Sequence, residues 1–238
     1  NGMVVAPEKL AAQIGLDILQ RGGNAVDAAV ATGFALAVSY PRAGNLAGGG
    51  FMLVHLAEEN RQLLIDYREM APAAASRDMF LDENGEFIPD RSTKTHLASA
   101  VPGTVAGLLD VLERYGSMSL KQVITPAIEL ADRGFELSYD LSSKLAARIE
   151  QFRPHPASFA IFTRKGEPWR QGERFRQRDL ANTLKRIRRQ GRDGFYTGRT
   201  ADLIVAEMQR GGGLISHQDL QDYVSVWREP VRGTYRGY

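Results

Sequence analysis

"GNLAGGGFMLVHL", residues 44–56, is the stretch on which the reading of the fold turns. Four glycines fall within seven residues, and an apolar run follows at once. Glycine admits left-handed backbone or the close approach of a neighbour, at an entropic cost on folding. The cluster therefore marks a place from which side chains are excluded. A phosphate cradle runs strand, glycines, helix, so that the helix N-terminus faces the anion. Here the order is helix, glycines, strand, with no Gly-Lys-Ser/Thr and no GxGxxG. The stretch reads as a tight turn that feeds a strand over 51–56.

On its N-terminal side, "AVDAAVATGFALAV" (25–38) is apolar nearly all round, the pattern of a buried helix. Its small residues Ala28, Ala29, Ala31, Gly33 and Ala35 suit close packing against a sheet. Asn24 reads as its N-cap, with Asp27 three residues on as a partial capping box, and Pro41 ends it. Before it, Leu10, Ile14 and Ile18 are spaced by four, which predicts a helix over 8–21 stopped at Gly22.

On the C-terminal side, 62–68 reads as a second strand across the polar turn 57–60. Residues 70–100 look irregular, with "RDMF" (77–80) as a short helix. Helices are then expected over 104–115, 119–134 (capped by Ser119 and Gln122, kinked at Pro126), 138–152, 179–190, 200–210 and 216–223. The last residues, 224–238, read as strands. A strand pair followed by many helices, without βαβ alternation, predicts an α+β layered fold.

Composition narrows the chemistry. The chain has 238 residues, 43% of them hydrophobic, enough for a substantial core. Thirty basic residues against 28 acidic ones give no global attraction for nucleic acid. With no cysteine, neither a disulfide framework nor a thiolate site can form. No stretch is long and apolar enough to span a bilayer, and no leader pattern is visible at Asn1–Met3.

The candidate motifs mostly have plain structural readings. His55, His96, His155 and His217 are scattered, and neither a Gly-x-Ser-x-Gly elbow nor a metal-ligand spacing accompanies them. Thr95 is internal and has no free α-amine to serve as its base. The arginine-rich region 148–192 carries interleaved Glu167, Glu173, Asp179 and Asp193, which predicts a salt-bridged, solvated face. One stretch resists such a reading. In "LLIDYREMAP" (63–72), Leu64, Asp66 and Arg68 share one strand face, Ile65 and Tyr67 the other. Either Asp66 and Arg68 pair structurally, or Arg68 awaits a ligand anion, since a guanidinium grips a carboxylate bidentately.

Five segments together settle the matter by resemblance: "GGNAVDAAVATGFALAVSYPRAGNLAGGGFML", "IDYREMAPAAASRDMF", "HLASAVPGTVAGLLDVLERYG", "PAIELADRGF" and "GGLISHQDLQDY". In this order they resemble the γ-glutamyltranspeptidases, members of the N-terminal nucleophile hydrolases. The resemblance implies a four-layer αββα sandwich, completed by a small subunit cut from the same precursor. It implies that residues 1–238 form a single domain, most of the large subunit. It also implies that the nucleophile, the small subunit's N-terminal threonine, lies outside this chain, so that no catalytic residue is expected here.

The arginine of the Arg-Glu-x-Ala-Pro motif matches Arg68 in "YREMAP", which implies that Arg68 holds the α-carboxylate of the γ-glutamyl group. Ala47 stands where many relatives carry another glycine, a small departure. The implied reaction is γ-glutamyl transfer from glutathione or related amides to water, amino acids or peptides, without metal or cofactor, in a periplasmic or secreted setting. Glutaryl-cephalosporin acylases, poly-γ-glutamate-processing enzymes and a non-catalytic binding homologue share enough of the pattern to stand as alternatives.

Overall fold

The computed structural model describes residues 2–237. The first two helices form a tightly crossed pair. α1 (Lys9–Gln20) is capped by the Glu8 carboxylate, which accepts from the Leu10 and Ala11 amides at 3.0 Å each. It ends at Gly22, whose φ of +89° is left-handed. α2 (Ala25–Ser39) starts with a complete capping box: Asn24 Oδ1 accepts from Val26 and Asp27, and Asp27 accepts from the Asn24 N–H. Val30, Ala31, Phe34, Ala35 and Val38 are fully buried, as an all-round apolar helix requires. α1 crosses α2 at Gly15, where a Cβ would sit 2.3 Å from Thr32 Oγ1.

Three antiparallel strands make the sheet. β1 (Phe51–Leu56) and β2 (Arg61–Asp66) form a hairpin with Leu53 opposite Leu64. β5 (Val226–Arg228) adds to the far edge of β2, with Trp227 opposite Ile65. The order β1-β2-β5 puts β2 in the centre. Its inner face carries the fully buried Ile65 and packs on α4 (Thr104–Tyr115), with Met52 and Val54 beside it. On the outer face Phe51, Leu53 and Val226 are 57%, 63% and 41% exposed. A helical layer thus covers one side of the sheet, and the other side, where Phe51, Leu53 and Val226 lie beside the Asp66–Arg228 and His55–Gln62 pairs, is uncovered among the described residues.

Behind the sheet, α2 packs on α4 and α5 (Leu120–Arg133), and α5 packs on α9 (Arg178–Gln190). Ser119 and Gln122 form the expected capping box of α5, which runs through Pro126 to a left-handed Gly134. Asp27 ties this layer together. Its buried carboxylate accepts from Ser117 N–H, Ser117 Oγ and Met118 N–H, besides Asn24. Gly116 lets that loop come close, since a Cβ there would lie 2.8 Å from Asp27 Oδ1. Burial raises the Asp27 carboxyl, but the four donors outweigh it and hold it below its ordinary value.

The smaller elements are α3 (Arg91–Lys94), a 3₁₀ turn at His96–Ala98, the ribbon β3 (Phe135–Glu136) with β4 (Arg174–Phe175), α6 (Tyr139–Ala146), α7 (Ile149–Phe152), α8 (Pro156–Phe162), α10 (Asp193–Tyr196), α11 (Gly198–Gly211) and α12 (His217–Asp222). Several depart from the sequence reading. The single helix over 138–152 is two, separated at Arg148, whose ψ of 8° leaves the helical range. The 77–80 segment, expected as a short helix, is a turn. Of 224–238, only Val226–Arg228 pairs as a strand; Pro230 has no N–H to give a ladder. Tyr238 lies outside the described residues. No helix among them is long and apolar enough to cross a membrane.

Candidate functional site

The glycine loop is built for crowding. None of Gly44, Gly48, Gly49 and Gly50 has a left-handed φ. Instead, each position is crowded, Gly48 by the side chain of Asn45 within the loop and the others from outside it. A Cβ on Gly44 would meet the Leu36 carbonyl at 2.1 Å, so the loop folds back on the end of α2. The Gly48 carbonyl accepts from Gly103 N–H (2.7 Å) and Thr104 N–H (2.9 Å), satisfying two donors at the start of α4. A Cβ on Gly49 would lie 2.4 Å from Tyr67 O and 2.7 Å from Glu69 N. Gly50 exchanges both backbone hydrogen bonds with Tyr67 (3.2 and 2.9 Å). The loop is a bed for residues 67–69.

Arg68 lies on that bed, just past the end of β2. Its neighbours are paired in ordinary backbone fashion: Tyr67 with Gly50, Met70 with Val101 at 3.1 and 2.8 Å. Its own main chain is held by side chains. The Arg68 N–H donates to Asp66 Oδ1 (3.0 Å), and the Arg68 carbonyl accepts from the Tyr223 hydroxyl (2.8 Å). The Arg68 side chain is 61% exposed, and its Nε pairs with Glu69 Oε2 at 3.4 Å.

Both members of the charged pair have another charge beside them, Asp66 with Arg228 and Arg68 with Glu69. Asp66 spends its second oxygen on Arg228 Nε at 2.7 Å, so its ion pair is structural. The Arg68 N–H, followed by Arg228, holds the Asp66 carboxyl below its usual range. Asp66 therefore holds the main chain of Arg68, while the Arg68 side chain turns to Glu69.

Tyr223, which closes the "QDLQDY" segment, had no role in the sequence reading. Its ring stacks on Tyr196, centroids 5.9 Å apart and nearly parallel. Tyr196 is buried; its hydroxyl donates to Pro102 O (2.8 Å) and accepts from Ala106 N–H (3.2 Å). Arg192 lies 4.3 Å over the Tyr196 ring and donates to the Gln221 and Tyr223 carbonyls. Gly103 leaves room for all this: a Cβ there would meet Tyr223 Oη and Tyr67 O, each at 2.1 Å. Burial, followed by the charges of Asp66 and Glu69, pushes the Tyr223 hydroxyl up to about 12. No sequence signal announces this arrangement, because it joins residues 155 positions apart.

The other motifs have local partners. His55 meets Gln62, His217 meets Asp202, and Thr95 Oγ1 donates to Arg91 O. His96 Nε2 lies 2.8 Å from Glu207 Oε1, which Arg210 also engages, and the His96 ring lies 6.2 Å from that of His155. Among the described residues no three carboxylate or imidazole groups gather as for a metal ion. The arginine-rich region is salt-bridged only in part. Arg164 pairs with Glu173 and Lys185 with Asp132. Arg186, Arg188, Arg189 and Arg199 instead line a shallow cleft with no carboxylate within 4.0 Å among the described residues. Arg186 is held there by Thr183 and Thr200 hydroxyls.

The chain is similar over its whole length to known proteins. The family model described as Gamma-glutamyltranspeptidase matches residues 11–238. The glutathione hydrolase proenzyme of Escherichia coli (strain K12) is 49% identical over 239 residues, covering all of this chain and 41% of that protein. The chain thus spans about two-fifths of the length of the curated relatives it matches. The crystal structure of Helicobacter pylori gamma-glutamyltranspeptidase superposes with a TM-score of 0.97 at 44% identity, over all of this chain and 68% of that one. A cephalosporin acylase from Bacillus halodurans superposes with a TM-score of 0.87 at 30% identity, over all of this chain and 45% of that one. On the match of the family model and the identity to the E. coli protein, the chain belongs to the γ-glutamyltranspeptidase family.

Proposed function

We propose that this chain supplies the donor-carboxylate grip of an enzyme that transfers γ-glutamyl groups from glutathione and related γ-glutamyl amides. Residues 1–238 are read as one domain, most of a large subunit. A small subunit from the same precursor lays its sheet on the bare outer face of β1-β2-β5, which makes the four-layer αββα sandwich. Exposed Phe51, Leu53 and Val226 support this, since an apolar sheet face of this kind calls for a cover. The setting proposed is periplasmic or secreted, on family resemblance alone.

The single observation that carries the substrate reading is Arg68: a permanent cation with its main chain held at both ends, its side chain mostly exposed and only its Nε beside Glu69. The donor's α-carboxylate docks on that fork, which sets the γ-carbonyl at the nucleophile. The small subunit's N-terminal threonine Oγ attacks that carbonyl while its α-amine takes the hydroxyl proton. The amide C–N bond breaks, the leaving amine takes the proton, and a γ-glutamyl ester remains on the threonine. Water, or the amine of an amino acid or peptide, then takes the acyl group. No cofactor enters the proposed steps.

The test is Arg68→Ala in the whole precursor, assayed on a chromogenic γ-glutamyl anilide. Stripping one partner from a buried charge pair costs about 2–5 kcal/mol of transition-state binding, a loss of roughly 30- to 5,000-fold in kcat/KM. Arg68→Lys should rescue poorly, because an ammonium lacks the planar fork. A change of less than about threefold on Arg68→Ala removes Arg68 from the site. The acylase reading is favoured if a glutaryl anilide, which lacks the α-amine, is the better substrate.

A further inference from the structure

We propose that Tyr223 is a positioning residue for Arg68, acting with Asp66 to clamp the main chain from which the guanidinium is aimed. The inference rests on the donor-carboxylate reading of Arg68 and extends it.

The argument starts from a gap in the backbone pairing. Residues 67 and 70 each exchange two hydrogen bonds with another strand or loop segment, but residue 68 has none of that kind. Two side chains replace them, Asp66 at the N–H and Tyr223 at the carbonyl. An arginine side chain has several rotatable bonds and much rotamer entropy to lose. Its reach is defined only if the Cα and its peptide planes are fixed.

The Tyr223 hydroxyl is itself fixed. Its ring is buried against Tyr196, Arg192 holds the Tyr223 carbonyl, and Gly103 brings the α4 entrance up to the oxygen. The hydroxyl therefore arrives at one point. With its proton retained to about pH 12, it is a constant donor over any working range. A residue whose only duty was to fill the core could be phenylalanine here. The hydroxyl is spent on the one carbonyl whose residue carries the proposed ligand contact.

The experiment compares two donors in the whole, processed enzyme. One is a γ-glutamyl anilide. The other is the 4-aminobutanoyl anilide, which keeps the amine and lacks the α-carboxylate. Discrimination is the ratio of their kcat/KM values. Arg68→Gln sets the reference, since it should collapse the ratio. Tyr223→Phe should lower the ratio about 3- to 30-fold, through KM for the γ-glutamyl donor, with kcat changed less than about twofold. In the double variant Arg68→Gln/Tyr223→Phe, the second change should have no further effect on the ratio.

Asp66→Ala releases the other end of residue 68 and must lower the ratio in the same sense. It serves as the deciding variant if Tyr223→Phe does not fold. An equal loss on both donors means that Tyr223 only supports the fold, and overturns the proposal. So does an unchanged ratio in Tyr223→Phe when Arg68→Gln has collapsed it. If Arg68→Gln itself leaves the ratio intact, the reading of Arg68 falls first, and the two failures are told apart.

Discussion

Asp27→Asn tests the account of how the helical layer holds together. The substitution keeps size and shape and removes charge. In the native chain the carboxylate receives Asn24 N–H at 2.8 Å, Ser117 N–H at 3.0 Å, Ser117 Oγ at 2.6 Å and Met118 N–H at 3.0 Å. The residue has no exposed surface, so water cannot take over. An asparagine offers one acceptor oxygen and one NH₂ group. At least one backbone N–H then faces another donor, even if the Ser117 hydroxyl turns to accept from the NH₂, and the remaining bonds lose their charged acceptor. Hydrogen bonds to a charged group are worth about 1.5–3 kcal/mol each, and orphaned buried donors add to the loss. The expected cost is about 3–5 kcal/mol.

For a domain of this size that is a fall of roughly 6–20 °C in melting temperature. The assay is a thermal melt of wild type and variant at pH 7, repeated down to pH 3. The sign with pH is fixed by linkage. The folded carboxyl sits below its ordinary 3.8, so its contribution is complete above that value and is lost as pH falls through the folded one. The gap between the two proteins should therefore narrow in acid. A shift below about 2 °C at pH 7, or a gap that stays constant to pH 3, would refute the idea that Asp27 joins α2 to the α4–α5 loop.

Two further outcomes are expected. Gly103→Ala should lower stability by about 2–3 kcal/mol, because the new methyl meets Tyr223 Oη and Tyr67 O at once. Its φ of −115° suits any residue, so the loss is purely one of space, and a melt unchanged within 1–2 °C would contradict it. Glu207→Gln should lower the melting temperature by about 1–2 °C at neutral pH, since the pair is largely exposed. Arg210 and His96 hold the Glu207 carboxyl at about 2, so the difference should persist above pH 4.5 and fade as pH falls toward 2; a difference that grows in acid would be the wrong sign.

Local signals carried most of the helices. The all-apolar run 25–38, the Asn24 and Ser119 caps and the Gly22 and Gly134 stops are each decided by neighbours within four residues. The glycine loop was legible as a place without side chains, but not why. Distinguishing a left-handed turn from a crowded one needs the identity of the intruder, at Gly49 and Gly50 residues 67–69, which arrive through the fold. Asp27 was legible as a cap and illegible as a hub, since Ser117 is 90 positions away. α8 was missed although Pro156 at its first turn is a local start signal. Arg68 stood out by motif, whereas its supports Tyr223 and Arg228 are set by the packing of the last elements.

The uncovered side of the sheet has a consequence for biosynthesis. Phe51, Leu53 and Val226, exposed beside a β1 edge that is unpaired among the described residues, will adhere to the first greasy partner they meet. Newly made chains therefore run a race between proper closure and clumping, which crowding and expression level decide. If the covering piece follows on the same polypeptide, as proposed, its local concentration reaches the millimolar range and the race is won within one molecule. Cutting the chain only after closure keeps that advantage, whereas making the two halves separately forfeits it.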